Sequence, residues 1–305
     1  MKSTGPVEVW RGLVPAWECD EMEHMNVRFY LARAMQGLAG AAAALGMPHA
    51  FSPNSAASLL VRGHHVRFLR EVRVGAALHM TTGVLSMGES DASLLQTLVD
   101  SRSGETAATF VTRVSHVAAR EGRPFPWPQR AHEAAAALTV ALPADAGARG
   151  VAEAGPAAAE VAEAGGFSLV ARGAVAVEDC DVFGRVRTEM LLSRTAEGIP
   201  HLIDAVRLAA QETLGPGRRI GGAALEYRLN YFGAPGPGDL LEVRSGLTEI
   251  GPKTYRARHW LVDPLSGAAW AAAENLSIHF DLETRKAVAL APETVARLQR
   301  ELTAP

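Results

Sequence analysis

The chain has 305 residues, 48% of them hydrophobic and 21% charged, with a formal net charge of −3. That length exceeds one ordinary core and predicts about two domains. The slightly acidic balance lacks the basic footprint of a nucleic-acid binder, so nucleic acid is not an expected partner.

Of 30 basic residues only Lys2, Lys253 and Lys286 are lysines, so phosphate contacts would fall to arginine, whose planar fork suits them. Two cysteines, Cys19 and Cys180, make no disulfide framework. The opening MKSTGPVEVWRG lacks the apolar centre of a signal peptide, and the longest apolar run, GLAGAAAALGM, is too short to span a bilayer. The expectation is a soluble, cytoplasmic protein with no membrane partner.

In chain order, residues 7 to 17 alternate as a strand would. WECDEMEHMNVRFYL (17 to 31) then packs acids, a histidine and an asparagine into the approach to a helix. From Val27 the spacing is helical: Val27, Tyr30, Leu31, Ala34, Met35, Leu38 and Leu45 make one apolar face, and Gly46 ends it. Gly37, Gly40 and the alanines at 41 to 44 make a slim helix around which a sheet can close. A helix start holds unpaired N–H groups and about half a positive charge, so it can receive an oxyanion.

Four strand-length runs follow, SLLVRGHHVRFLREV, LHMTTGVLSMG, ASLLQTLVDSRSG and TAATFVTRVSHVAAR, read as a meander. Residues 129 to 166 are rich in alanine and glycine and read as a linker with one short helix at 129 to 138. The predicted domains are therefore 1–128 and 167–305.

Beyond the linker the first pattern returns. VEDCDVFGRVRTEMLL (177 to 192) repeats AWECDEMEHMNVRFYL, placing Cys180 on Cys19 and Asp181 on Asp20. LVDPLSG, Gly251 and His279 repeat LVDSRSG, Gly88 and His116 at an offset two residues larger, and YFGAPGPGDLLEV (231 to 243) is the expected place of the insertion. The chain is a tandem duplication.

Strand, acidic loop, central helix and wrapping antiparallel sheet resemble the hotdog fold. The run D-E-M-E-H-M-N-V-R-F-Y from Asp20 to Tyr30 resembles the 4-hydroxybenzoyl-CoA thioesterase-like branch, in which an Asp, two spacers, Gly, His, a hydrophobe and Asn precede an aromatic. Glu23 stands where that pattern has Gly. The second repeat keeps Asp181 and Gly184 but puts Arg185, Arg187 and Leu191 at the His, Asn and Tyr positions.

The resemblance implies an α+β chain of two hotdog domains pairing as a pseudo-dimer within one polypeptide, with clefts between them. It implies acyl-CoA thioester hydrolysis, with Asp20 as general base or nucleophile and the helix start polarising the carbonyl. A thioester is already activated, so no metal or organic cofactor is expected beyond the coenzyme A of the substrate.

The expected catalytic residues are Asp20, His24, Asn26 and Asp181, with Tyr30, Arg67 and Arg185 as substrate contacts. Each has a plainer reading: Asp20 as a turn cap, Asn26 as a helix cap, Tyr30 as core, strand arginines as a solvated face. Asp181 reads equally well as a relic, and His24 as a local hydrogen-bond partner. His64 and His65 are adjacent on a strand, face opposite ways and lack companion ligands, so no metal site is expected. LGPGRRIGG lacks phosphate-loop spacing and reads as a turn. Rival readings are a hotdog enoyl-CoA hydratase or dehydratase and a non-catalytic acyl-CoA-binding protein. The fold also predicts further assembly, to a dimer of chains or larger.

Overall fold

A computed structural model of the chain describes residues 5–302, without the side chain of Glu301. Lys2 and the start of the opening segment lie outside the described residues. The chain divides into two units: Met1–Ala148 with Cys180–Glu189, and Arg149–Asp179 with Met190–Pro305.

The first unit runs β1 (Val7–Leu13), α1 (Val27–Ala44), β2 (Ala57–Phe68), β3 (Ala77–Met87), β4 (Asp91–Asp100), β5 (Thr106–Ala118) and α2 (Gln129–Ala137). Its strands are antiparallel in the order β1-β3-β4-β5-β2. The second unit holds α3 (Ala159–Ala164), β6 (Ser168–Ala174), most of α4 (Thr188–Leu214), β7 (Ile220–Tyr231), β8 (Leu240–Ile250), β9 (Thr254–Val262), β10 (Ala269–Asp281) and α5 (Pro292–Leu298). Its order, β7-β10-β9-β8-β6, repeats that of the first unit.

Three sequence expectations need correction. The first strand stops at Leu13, because Pro15 has no N–H for a ladder and Ala16–Glu18 coil into a 3-10 turn that leaves Trp17 79% exposed. Only β3, β4 and β5 form a meander. β2 pairs with β5, because the eight-residue connection 69–76 is long enough to leave the hairpin path.

The third concerns the insertion between the repeats. The turns 69–76 and 232–239 have equal lengths, so the insertion does not lie there. Instead α4 has 27 residues against 18 in α1, and the connection after it, 215–219, is shorter than 45–56.

Close approach of helix to sheet depends on glycine. A methyl group at Gly40 would stand 2.7 Å from the main-chain oxygen of Val9, and one at Gly37 3.3 Å from the Val9 side chain. Gly198 faces Val170 in the second unit as Gly37 faces Val9 in the first. Tyr30, Leu31, Ala34, Leu38, Ala41 and Ala42 form the buried face of α1.

A buried polar chain ties that helix to its sheet. Gln96 on β4 donates to the Ala34 carbonyl of α1 (2.6 Å) and accepts from the Thr112 hydroxyl (2.8 Å). With that hydroxyl hydrogen committed, Nδ1 of His64 donates to Thr112 Oγ1 (3.1 Å). In the second unit Ser245, His259 and Asn275 form the corresponding chain: His259 lies 2.7 Å from Ser245 Oγ and 2.7 Å from Asn275 Oδ1. Burial depresses His64 to about 3 and His259 to about 4, so both are neutral.

The alanine- and glycine-rich passage is anchored through its main chain. Val140 bridges to Val84 of β3, and Arg67 donates to the Gly147 carbonyl. In the second unit both Glu226 oxygens accept the Arg149 N–H, and Glu274 accepts that of Ala152. Asn230 and Trp260 donate to the carbonyls of Ala154 and Gly155. Small residues bring little apolar area, so strand side chains satisfy the backbone instead.

Candidate active site

The acid loop of the first unit is a closed turn feeding a helix. Cys19 and Met25 pair across its neck, and the Asp20 N–H donates to the His24 carbonyl (2.8 Å). Inside, Asp20 Oδ1 accepts the N–H groups of Met22 (2.9 Å) and His24 (3.2 Å). Among the described residues Oδ2 takes no hydrogen bond. The lock fixes the carboxylate plane and thereby the direction of the second oxygen.

Asn26 is the N-cap of α1: its side chain accepts the Arg28 N–H (3.0 Å), and its own N–H donates to the Glu18 carbonyl (2.8 Å). Glu18 is buried and ion-paired with Arg33 in the second turn of α1, and the Arg33 guanidinium lies 5.1 Å from the Trp10 ring centre. Asp179 and Arg194, 3.5 Å apart, repeat that ion pair in the second unit. The loop is thus fastened to the helix whose start it presents.

His24 meets Asp20 through its main chain, while its buried ring places Nε2 3.5 Å from Glu71 Oε2. Tyr30 is core: its hydroxyl donates to the Arg70 carbonyl (3.4 Å), its ring meets Phe68 edge-on at 5.1 Å, and burial raises its phenol. Arg67 is buried and holds Gly147.

The second copy of the loop keeps the lock and changes the rest. Asp181 Oδ1 accepts from Phe183 (2.8 Å) and Arg185 (3.0 Å). The Arg185 side chain donates to the Ala119 carbonyl and lies 5.0 Å from the Phe183 ring centre. The fold therefore brings Asp20, His24 and Asn26 into one short loop, places Asp181 and Arg185 in the other, and sets Tyr30 and Arg67 in structural contacts.

Glu189 was not among the sequence candidates. It lies in the first turn of α4, 5% exposed, with Arg187 Nη1 3.4 Å from one oxygen and no hydrogen bond to the other. Burial raises its carboxyl, against smaller opposing effects that include the charges of Arg187 and Arg28. The signal in the sequence is an acid beside two basic positions, TEM after RVR, which is common at a helix start. Among the described residues no group of three or more histidine, cysteine or acidic side chains is placed to hold a metal.

Two like repeats, each an antiparallel sheet with a packed helix entered through a locked acid loop, define a tandem hotdog protein. The model of the thioesterase-like superfamily matches residues 14–138 and again 175–298, and the chain belongs to that superfamily. It is a thioester hydrolase, and its general chemistry is acyl thioester hydrolysis.

Solved structures agree on the fold. The chain is similar to a 12:0-ACP thioesterase from Umbellularia californica, with TM-score 0.68 and 10% identity over 90% of this chain and 94% of that one. It is similar to a candidate oleoyl thioesterase from Lactobacillus plantarum, with TM-score 0.67 and 11% identity over 91% and 97%. An acyl-ACP thioesterase from Bacteroides thetaiotaomicron gives 0.64 and 9% over 89% and 97%. A comparison with curated protein sequences finds no match.

Proposed function

We propose that the protein is an acyl-CoA thioesterase whose chemistry is carried by the first acid loop, with Asp20 as the base. The observation that carries this is the lock on Asp20: Oδ1 is held by two main-chain N–H groups, which leaves Oδ2 outside the lock in the loop that leads into a capped helix start. Capping alone does not separate the two repeats, since Asp181 is locked alike. The separation lies in the residues after the acid, His24 and Asn26 in one repeat and Arg185 and Arg187 in the other.

In the proposed reaction Oδ2 takes a proton from water as the water oxygen attacks the thioester carbonyl. A main-chain N–H at the start of α1 that the Asn26 cap leaves uncommitted steadies the developing oxyanion. Collapse expels the thiolate, which recovers the proton. A positioned base contributes roughly 10²–10⁴ in rate and an oxyanion donor roughly 10²–10³. With a thioester as substrate, that requires no resident metal or organic cofactor.

Attack by the carboxylate itself, forming an anhydride that water then cleaves, uses the same oxygen. A hydratase would pair Asp20 with the His24 ring, whereas that ring is turned to Glu71. We also propose that chains associate as dimers or larger assemblies, for which light scattering at low concentration is the test. Among the described residues no helix is long and apolar enough to cross a membrane.

Thiol release from a panel of short, long, aromatic and hydroxylated acyl-CoAs, wild type against Asp20→Asn, tests the reading. Asparagine keeps the locking oxygen and removes the base, so hydrolysis should fall by roughly 10²–10⁴ with the loop intact. Full activity in Asp20→Asn removes Asp20 from the mechanism.

A further inference from the structure

We propose that a cleft in the second unit is a binding site for a small aromatic molecule carrying one hydroxyl group, with His279 as its polar anchor. None of its walls belongs to either acid loop, and the proposal goes beyond thioester hydrolysis.

The walls include Val206 and Ala210 of α4, Tyr255 of β9, His279 of β10, and Val288 and Leu290 from the segment before α5. The cleft holds about 220 Å³ of space, its open mouth included, and its interior has room for one water-sized group. His279 is 5% exposed, and among the described residues its Nε2 takes no hydrogen bond. Burial, and after it the charge of Arg207, pushes the ring down to about 4, so it is neutral near pH 7. A buried ring nitrogen left unpaired is destabilising, which favours a partner brought by a ligand.

The first repeat shows what the chain itself puts at the equivalent place. His116, the counterpart of His279, lies 4.1 Å from the Phe125 ring and 4.6 Å from the stacked Trp127 ring, and its Nδ1 meets the Phe125 and Pro126 carbonyls at 3.1 and 3.2 Å. The main chain is built alike in both repeats. The Phe125 N–H donates to the His116 carbonyl as that of Val288 does to His279, and the Trp127 N–H donates to Glu89 as that of Leu290 does to Pro252. Val288 and Leu290 therefore stand where the first repeat has Phe125 and Trp127. Tyr255 replaces Ala92 and returns one ring, its centre 5.1 Å from that of His279. Among the described residues one aromatic side chain meets His279 where two meet His116.

The missing ring defines the occupant. Aliphatic walls and the Tyr255 ring take an aromatic molecule by close packing and by stacked or edge contact. A hydroxyl suits the anchor, because it donates to Nε2 in one tautomer of a neutral imidazole and accepts from it in the other. It is also the size of the group that the interior admits, which leaves the ring in the wider mouth.

NMR of the full chain, observing methyl and histidine ring signals during titration with phenol, tests the site. Shifts at Val288, Leu290 and His279 should saturate with a dissociation constant on the order of 1 mM, and phenol should give intermolecular NOEs to the Val288 and Leu290 methyls. Toluene, a ring of the same size without the hydroxyl, should bind roughly three- to tenfold more weakly. Leu290→Trp puts the first repeat's ring back and should abolish phenol binding. Absence of saturation at concentrations about tenfold above that constant overturns the proposal, as do NOEs confined to other methyls, toluene binding as tight as phenol, or unchanged binding in a folded Leu290→Trp. The NOEs and the toluene comparison use the wild-type chain, so they decide the matter even if the variant does not fold. Neither depends on thiol release, which keeps their outcome separate from that of the thioesterase reading.

Discussion

Asp20 and Asp181 close their loops with the same two hydrogen bonds: in each, Oδ1 accepts the N–H groups of the residues two and four positions ahead. The lock is a property of the duplicated unit, and chemistry has to be sought in the second oxygen. Alanine at position 181 removes both bonds and should cost about 1–2 kcal/mol. Asparagine keeps an acceptor at Oδ1 and should cost a fraction of that. Urea denaturation of Asp181→Ala and Asp181→Asn checks the difference. Equal losses would mean that charge, not the placed oxygen, holds the turn.

The same loops differ at their tightest residue. Glu23 has φ +65° and Gly184, its counterpart, φ +76°. A side chain in that region costs an L-residue about 1–2 kcal/mol, partly offset because glycine is freer in the unfolded chain. The exposed contact of Glu23 with Arg73, at 4.0 Å, contributes little. Glu23→Gly should therefore raise the melting temperature slightly and Gly184→Ala should lower it. Scanning calorimetry that found both substitutions neutral would show that neighbouring contacts, rather than φ, set the cost.

Much of this architecture is legible because the chain was written twice. The acid loop, the Asn26 cap, the helix from Val27 and the slim face at Gly37 and Gly40 all follow from local spacing, and the second copy repeats the loop and the helix start. Strand order was not legible, because the pairing of β2 with β5 depends on where a long connection lands and not on either strand's pattern. The polar chain through Gln96 and His259 was also hidden. A single polar residue in a strand looks like a solvent-facing position, and its partners, Thr112 and Asn275, lie on the neighbouring strand. The contact of Arg67 was hidden for a related reason: its guanidinium donates to the Gly147 carbonyl, in a passage whose side chains announce no contact.

Buried histidines set an acid limit on stability, and His64 and His259 show it. His64 and His259 have folded-state values of about 3 and about 4, below the ordinary 6.5, because burial disfavours the charged ring. Between those values only the unfolded chain takes the proton. Each histidine's contribution is thus complete above about pH 6.5 and is lost as the pH falls toward 4. Through that window each should raise the unfolding constant about tenfold per pH unit. His259→Gln places there the residue that the first repeat uses at the same position, and it should flatten the pH dependence by one histidine's share. Urea midpoints measured from pH 7 downward test this, and parallel curves for variant and wild type would contradict it.

Glu189 gives the opposite slope. Burial raises its carboxyl above the usual range, and Arg187 and Arg28 oppose that only in part. An acid held above its unfolded value favours the folded state while protonated, and that contribution disappears as the pH rises through the folded value. Once ionised, the folded chain carries a buried charge with one oxygen unsatisfied. Glu189→Gln removes the charge and keeps the shape. The variant should match wild type near pH 4 and melt at a higher temperature near pH 8. Melting curves across that range decide the matter: a variant less stable at pH 8 would mean that the two arginines outweigh burial and that their attraction to Glu189 holds the start of α4.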